Sequence, residues 1–138
     1  MAQEDGLKKL KTALVCSILA NLVYGIGFFL TPGMLRDMSG GTPVELGWIR
    51  WSGGALLALA VGGFQVYQDP AGQRPMVTTL TVAPILISLG LLYPLLFEKY
   101  TVQTWFIVMP CIITFALFVV MLWGLQAAKN ILKQNADV

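Results

Sequence analysis

The side chains that could do chemistry are few, and they suit binding better than catalysis. Arg50 is the charge inside the second long apolar stretch, past Glu45, and it stands between Trp48 and Trp51. A guanidinium in an apolar segment is a candidate anchor for an anionic or carbonyl group. It can snorkel outward and bind lipid phosphate in the headgroup region, or it can point inward into a cavity between helices. The sequence leaves both orientations open.

Polar and aromatic side chains within the apolar stretches complete the candidate site. Asn21 and Tyr24 share one face of the first stretch with Ser17 and Phe28. Asn21 is expected to face protein, because placing an unpaired amide in hydrocarbon costs a free energy on the order of several kcal/mol. An interhelical hydrogen bond is the simpler role for Asn21 and for Gln65. The full candidate ligand-binding set is Arg50, Tyr24, Asn21, Trp51, Gln65 and Tyr93. With Arg50 pointing inward, the cavity is expected to be lined by Tyr24, Phe28, Tyr93 and Trp105.

Catalytic and metal-binding patterns are missing from the sequence. The chain has no histidine, which excludes histidine-ligated haem, the usual zinc and copper sites, and histidine acid–base chemistry. Cys16 and Cys111 stand in different apolar stretches and form no CxxC motif. No metal is therefore expected, and no cofactor beyond a bound lipid or quinone. Catalysis by side chains alone is not expected, so an enzyme subunit would owe its chemistry to a bound cofactor.

Composition places the chain in a membrane. Hydrophobic residues make up 57% of the 138 residues and charged residues 12%, and the mean hydropathy is +0.73. Soluble domains carry about 25% charged residues. The net charge of +2 comes from scattered basic residues, so no nucleic-acid partner is expected. Residues 1–138 are predicted to form a single integral membrane domain in contact with membrane lipid.

Four apolar stretches predict an all-α, four-helix transmembrane bundle with short loops. The predicted spans cover about residues 12–31, 43–68, 76–97 and 102–128, and about 20 apolar residues suffice to cross a bilayer. Thr42, Pro43 and Glu45 form a capping box that predicts the start of the second span. Residues 32–38 can form a short interfacial helix between the first two spans.

Small residues on the second span predict where helices pack. Gly47, Gly54, Ala55, Ala58 and Gly62 share an arc about 100° wide when the helix is projected end-on. Small side chains let helices approach closely in lipid, where van der Waals contact provides the attraction. The other helices are therefore predicted to pack around this one.

The distribution of basic residues predicts the orientation. An even number of spans puts both termini on one side, and that side carries six lysines and arginines against three on the other. Cytoplasmic loops carry the excess of basic residues, so both termini are predicted to be cytoplasmic.

Short motifs relate the chain to a known group of proteins. Thr31 and Pro32 end the first stretch, Arg50 begins an R-x-x-G-G motif, and Asp69 and Pro70 form a turn after the second stretch. This layout resembles small four-helix bacterial membrane proteins of the DoxX-like and BphX-like kind. The resemblance implies the four-helix fold and a place in the bacterial inner membrane. Some DoxX-like members are quinone-linked redox partners, but no residue of that activity is identifiable here.

Two functions are compatible with these observations. The first is a non-enzymatic packing or accessory subunit, which forms a homo-oligomer or docks on a larger membrane complex through the small-residue arc. The second is a binding or transport protein for an amphipathic ligand, such as a lipid or a quinone, held in the outer half of the bundle. Rich packing features and absent catalytic chemistry favour the first.

Overall fold

The chain folds into five helices. The computed structural model describes residues 2–40, 46–98 and 102–134. The helices are α1 (Ala2–Leu30), α2 (Pro32–Ser39), α3 (Leu46–Gln68), α4 (Arg74–Phe97) and α5 (Thr104–Gln134). These ranges contain no strand, which confirms the all-α class. The predicted capping box at Thr42, Pro43 and Glu45 lies outside the described residues.

Three of the helices are long and apolar enough to cross a membrane. They cover Glu4–Leu30, Arg74–Phe97 and Thr104–Asn130. This finding supports a membrane protein with transmembrane helices. α3 has 23 residues but includes Arg50 and two glutamines, and it is not among the three. The fourth predicted span therefore stays a prediction.

The short helix predicted between the first two spans is present as α2. It has eight residues and begins with Pro32, whose fixed φ angle suits the first turn of a helix. Its last residue is Ser39, and Gly40 caps the end, with a left-handed φ of +66° and its N–H donated to the carbonyl of Asp37. The Ser39 carbonyl accepts a hydrogen bond from the Gln103 N–H at 2.7 Å. This bond ties the end of α2 to the residue before α5.

The central helix of the bundle is α1. It packs extensively on both α3 and α5, whereas α4 packs mainly on α5 and has little contact with α3. This corrects the prediction that α3 is the helix around which the others pack. α1 takes that place because it packs on both α3 and α5 and also contacts α2.

Two glycines allow the closest backbone approaches to α1. A Cβ atom built on Gly53 of α3 would lie 2.6 Å from the Phe29 nitrogen and 2.9 Å from the Gly25 carbonyl oxygen. On the other side of α1, a Cβ atom on Gly124 of α5 would lie 2.9 Å from the Ala13 Cβ. Any residue larger than glycine would force the helices apart at these points.

The end of the bundle near the chain termini is closely packed. Leu10, Leu14, Val66 and Met121 are fully buried there and belong to one hydrophobic cluster. At the same end, the Lys11 ammonium lies 4.9 Å from the centre of the Tyr67 ring. Side chains of α1, α3, α4 and α5 fill this half of the molecule.

A hydrogen bond between α4 and α5 gives a first testable expectation. Ser88 is 5% exposed, and its hydroxyl donates to the Cys111 carbonyl at 3.2 Å. Ser88→Ala should lower the free energy of unfolding by about 0.5–1 kcal/mol, measured by titration with sodium dodecyl sulfate in mixed micelles. In the control, Thr79→Val, the lost hydroxyl bonds only the Pro75 carbonyl of its own helix. Equal losses in the two variants would contradict a stabilising role for the interhelical bond.

Candidate ligand-binding site

A cavity of about 460 Å³ lies in the half of the bundle away from the chain termini. All five helices contribute to its wall, with α1, α4 and α5 providing most of it and Leu35 of α2 standing at one end. The cavity begins where the close packing near the termini ends, at the level of Leu80. The two halves of the bundle are thus packed differently.

Local sequence explains why space is left between these helices. Ala20, Gly27 and Ala83 line the cavity, and their small side chains leave volume unfilled. Pro84 of α4 and Pro110 of α5 also line it. A proline inside a helix removes one backbone hydrogen bond and its ring crowds the preceding turn. Small residues and helix-perturbing prolines therefore coincide at the cavity wall.

The wall is almost entirely apolar. None of the described residues that line it is charged, and only Asn21, Tyr24, Trp105 and Thr114 have polar side-chain atoms. The Thr114 hydroxyl donates to the carbonyls of Pro110 and Cys111, at 2.8 and 3.1 Å. The Trp105 indole N–H donates to the Gln103 side-chain oxygen. These two polar groups are engaged within the protein.

The polar atoms of Asn21 and Tyr24 are only partly engaged. The Asn21 Nδ2 donates to the Ser17 carbonyl at 2.9 Å and lies 3.3 Å from the Ser17 hydroxyl. A carbonyl oxygen can only accept, so this contact fixes which end of the amide is the nitrogen. Within the described part of the chain, no group donates to Asn21 Oδ1, and the Tyr24 hydroxyl has no hydrogen-bond partner. The Tyr24 ring packs edge-on against Phe28, with centroids 6.0 Å apart.

The structure divides the candidate ligand-binding residues into two groups. Asn21 and Tyr24 line the cavity, together with Phe28 and Trp105. The other four, Arg50, Trp51, Gln65 and Tyr93, do not line it. Tyr93 is 56% exposed and its ring packs on Phe97 instead.

Arg50 lies on the outside of the bundle. It is exposed, as are Trp51 and Gln65 on the same helix, and it takes part in no ion pair among the described residues. The structure therefore has the outward of the two orientations, and not the inward one in which Arg50 anchors a ligand inside the bundle. The outward orientation agrees with the cost of placing a charge in an apolar interior.

The predicted packing arc of α3 also points mostly away from the bundle. A Cβ atom on Gly47 or Gly54 would meet no atom of the described residues within 4 Å, and Ala55 and Ala58 are exposed. Gly62 is buried, with the Met76 Cε 2.9 Å from the position of its Cβ. The prediction that this arc makes the contacts inside the bundle is therefore wrong for Gly47, Gly54, Ala55 and Ala58. In the described ranges, Gly62 is the one residue of the arc that packs against another helix of the bundle.

The close contacts of α3 with α1 lie on the opposite side of α3 from that arc. Gly53, Ala60 and Gly63 are buried, and the Ile18 Cγ1 lies 2.8 Å from the position of a Cβ on Gly63. On the α1 side, a Cβ on Gly25 would lie 2.9 Å from the Leu57 Cγ. Small residues of each helix thus receive larger side chains of the other.

Apart from Trp105, sequence reasoning missed the α4 and α5 residues of the cavity wall. Ala83, Ile87, Ile113 and Leu117 line it, but apolar residues of the same types also face lipid. Thr114 offered the one usable signal, since it is a polar residue one turn after Pro110 in an otherwise apolar stretch.

No protein-family model, curated protein or solved structure matches the chain. Among the described residues, no group of three or more cysteine, aspartate or glutamate side chains is placed to hold a metal ion. The resemblance to DoxX-like and BphX-like proteins stays a prediction. Function must therefore be inferred from the cavity and from the uncovered face of α3.

Proposed function

We propose that α1, α3, α4 and α5 all cross the bilayer, with both termini on the cytoplasmic side of a bacterial inner membrane. α1, α4 and α5 are long and apolar enough to do so. α3 runs antiparallel alongside α1, with Gly53 at the level of Phe29 and Gly63 at the level of Ile18. Because it follows an apolar helix over this length, α3 shares the depth of α1. The excess of basic residues on the side of the termini supports the orientation.

In this membrane the protein binds a neutral, largely hydrophobic small molecule in its cavity. The observation that carries this proposal is a space of about 460 Å³ whose described wall has no charged residue. Ligand sites for small molecules usually measure about 300–1,000 Å³ and are mostly apolar with a few polar groups. An ionic ligand would lose its hydration without gaining a counter-charge, so a neutral lipid or quinone fits better.

Residues of α1 and α5 that line the cavity also reach the surface of the bundle. Val23 of α1 is 70% exposed and Met109 of α5 is 54% exposed, yet both line the cavity. In a bilayer these exposed side chains face the acyl chains. A hydrophobic ligand can therefore enter from the lipid phase without crossing water.

Filling the cavity tests the binding function. Ala83→Trp places an indole in the cavity wall and should abolish retention of a co-purified small molecule. Retention is measured by native mass spectrometry of gently solubilised protein, followed by solvent extraction and identification of the released molecule. The matched control is Ala116→Trp, because Ala116 is exposed on α5 and does not line the cavity. Finding no bound molecule in the wild-type protein, or equal retention in both variants, would refute the proposal.

An assembly function is a second candidate, and a separate surface favours it. No atom of the described residues lies within 4 Å of a Cβ position on Gly47 or Gly54, and Arg50 and Gln65 are exposed on the same helix. In lipid, small residues and polar side chains on one face are typical of contacts with another helix. This face suits an accessory subunit that forms a homo-oligomer or joins a larger complex. Gly54→Leu should then reduce association in native mass spectra while leaving the monomer folded; unchanged association would exclude this face.

A further inference from the structure

We infer that Asn21 and Tyr24 form a polar subsite that selects a ligand carrying a hydroxyl group, so that the molecule held in the cavity is an uncharged alcohol with a hydrophobic body. This inference rests on the proposed binding function and adds the chemical class of the ligand. It follows from the hydrogen-bonding state of each polar atom in the wall.

Asn21 and Tyr24 differ from the other two polar residues of the wall, because each has a side-chain polar atom with no hydrogen-bond partner among the described residues. Thr114 donates its hydroxyl hydrogen to carbonyls of its own helix, and the Trp105 N–H is bonded to Gln103. In contrast, Asn21 Oδ1 and the Tyr24 hydroxyl have no partner among the described residues. A polar atom without a partner in an apolar wall is unfavourable. A ligand that supplies the missing donor would relieve this cost.

The Asn21 amide restricts the chemistry of that ligand. Its nitrogen is directed at the Ser17 carbonyl and hydroxyl, so the group left for the cavity is the carbonyl oxygen, which can only accept. A ligand must therefore bring an O–H or N–H donor, and a neutral molecule with a hydrocarbon body brings it as an alcohol. An ether or an ester, which only accepts, would leave Oδ1 unsatisfied.

Tyr24 is the second member of the proposed subsite. It follows Asn21 by three residues on the cavity face of α1, a rise of about 4.5 Å along the helix axis. Its hydroxyl can donate to the oxygen whose hydrogen is given to Asn21, while its ring is held against Phe28. The two side chains can thus satisfy the donor and the acceptor of one hydroxyl group.

Farnesol and its methyl ether are suitable probes, because they share a hydrocarbon body and differ in the hydroxyl hydrogen. The full-length protein is purified in lauryldimethylamine oxide, a detergent without hydroxyl groups, and binding of each probe is measured by native mass spectrometry. Wild-type protein is expected to bind farnesol about five- to tenfold more tightly than the ether, as one net hydrogen bond would give. Asn21→Leu should bind both probes with equal affinity.

Two further variants make the test specific. Tyr24→Phe keeps the ring on Phe28 and should also reduce the preference for farnesol. Thr114→Val removes a hydroxyl that is already bonded within α5, so it should keep the full wild-type preference. Wild-type protein that binds both probes equally would overturn the hydroxyl subsite while leaving the binding function intact. Wild-type protein that binds neither probe would overturn the subsite, and unchanged retention in Ala83→Trp would separately refute the binding function.

Discussion

Gly53→Ala is expected to force α1 and α3 apart and to lower the free energy of unfolding by about 3 kcal/mol, near the upper end of the usual cost of overpacking. The new Cβ would lie 2.6 Å from the Phe29 nitrogen and 2.9 Å from the Gly25 carbonyl oxygen. Both are backbone atoms of α1, so no side chain can rotate to make room. The whole helix has to shift, and contacts along the α1–α3 interface weaken with it.

The adjacent residue provides the control. Gly54 has no described atom within 4 Å of its Cβ position, so Gly54→Ala should leave the fold unchanged or stabilise α3 by up to about 1 kcal/mol through helix propensity. Both variants are compared with the wild-type protein by titration with sodium dodecyl sulfate in mixed micelles. A larger loss of stability in Gly54→Ala than in Gly53→Ala would show that α3 is rotated relative to the arrangement described here.

Much of the helical architecture could be predicted from the sequence. Long apolar stretches separated by polar segments predict the helices, and the turn before α4 follows from its residue types. There the Gly72 N–H donates to the Asp69 carboxylate at 3.0 Å, as expected for an aspartate that begins a turn. Pro32 and Gly40 likewise mark the two ends of α2. These features depend on local interactions, which the sequence encodes directly.

The face of α3 that packs on α1 could not be predicted in the same way. Two adjacent glycine pairs, at residues 53–54 and 62–63, place small residues on several sides of the helix. Neighbouring residues differ by about 100° around the axis, so an error of one residue turns the contact toward lipid. The choice is made by α1, whose Gly25 receives Leu57 and whose Ile18 contacts Gly63. The contact face therefore depends on tertiary packing, and no local sequence pattern indicates it.

In the candidate site, too, some features have a local sequence signal and others depend on tertiary packing. The common face of Asn21, Tyr24 and Phe28 on α1 can be recognised from their spacing, and the structure places all three in the cavity wall. Arg50 could not be assigned, because a charge near a helix end suits both the headgroup region and a buried anion site. The cavity itself is a volume left between helices, and its apolar wall has the composition of a lipid-facing surface. Only the packed structure distinguishes the cavity wall from a lipid-facing surface.

Gly124→Leu is expected to be as damaging at the opposite end of α1, with a loss of about 3 kcal/mol in the free energy of unfolding. A Cβ on Gly124 would lie 2.9 Å from the Ala13 Cβ and 3.1 Å from the Leu10 Cα. Leu10 and Ala13 are fully buried, so the larger side chain has no free space to enter. The substitution should separate α5 from α1 where the bundle is most closely packed.

The consequence should reach the cavity, because α1 and α5 both form its wall and approach each other closely at Gly124. Gly124→Leu is therefore expected to lose the bound molecule as well as stability, although Gly124 does not line the cavity. Gly90→Leu is the control, because no described atom lies within 4 Å of the Cβ position of Gly90 on α4. This variant should retain both stability and ligand. Loss of stability with full ligand retention in Gly124→Leu would mean that the cavity half holds its shape independently. The close packing near the termini would then contribute to folding alone.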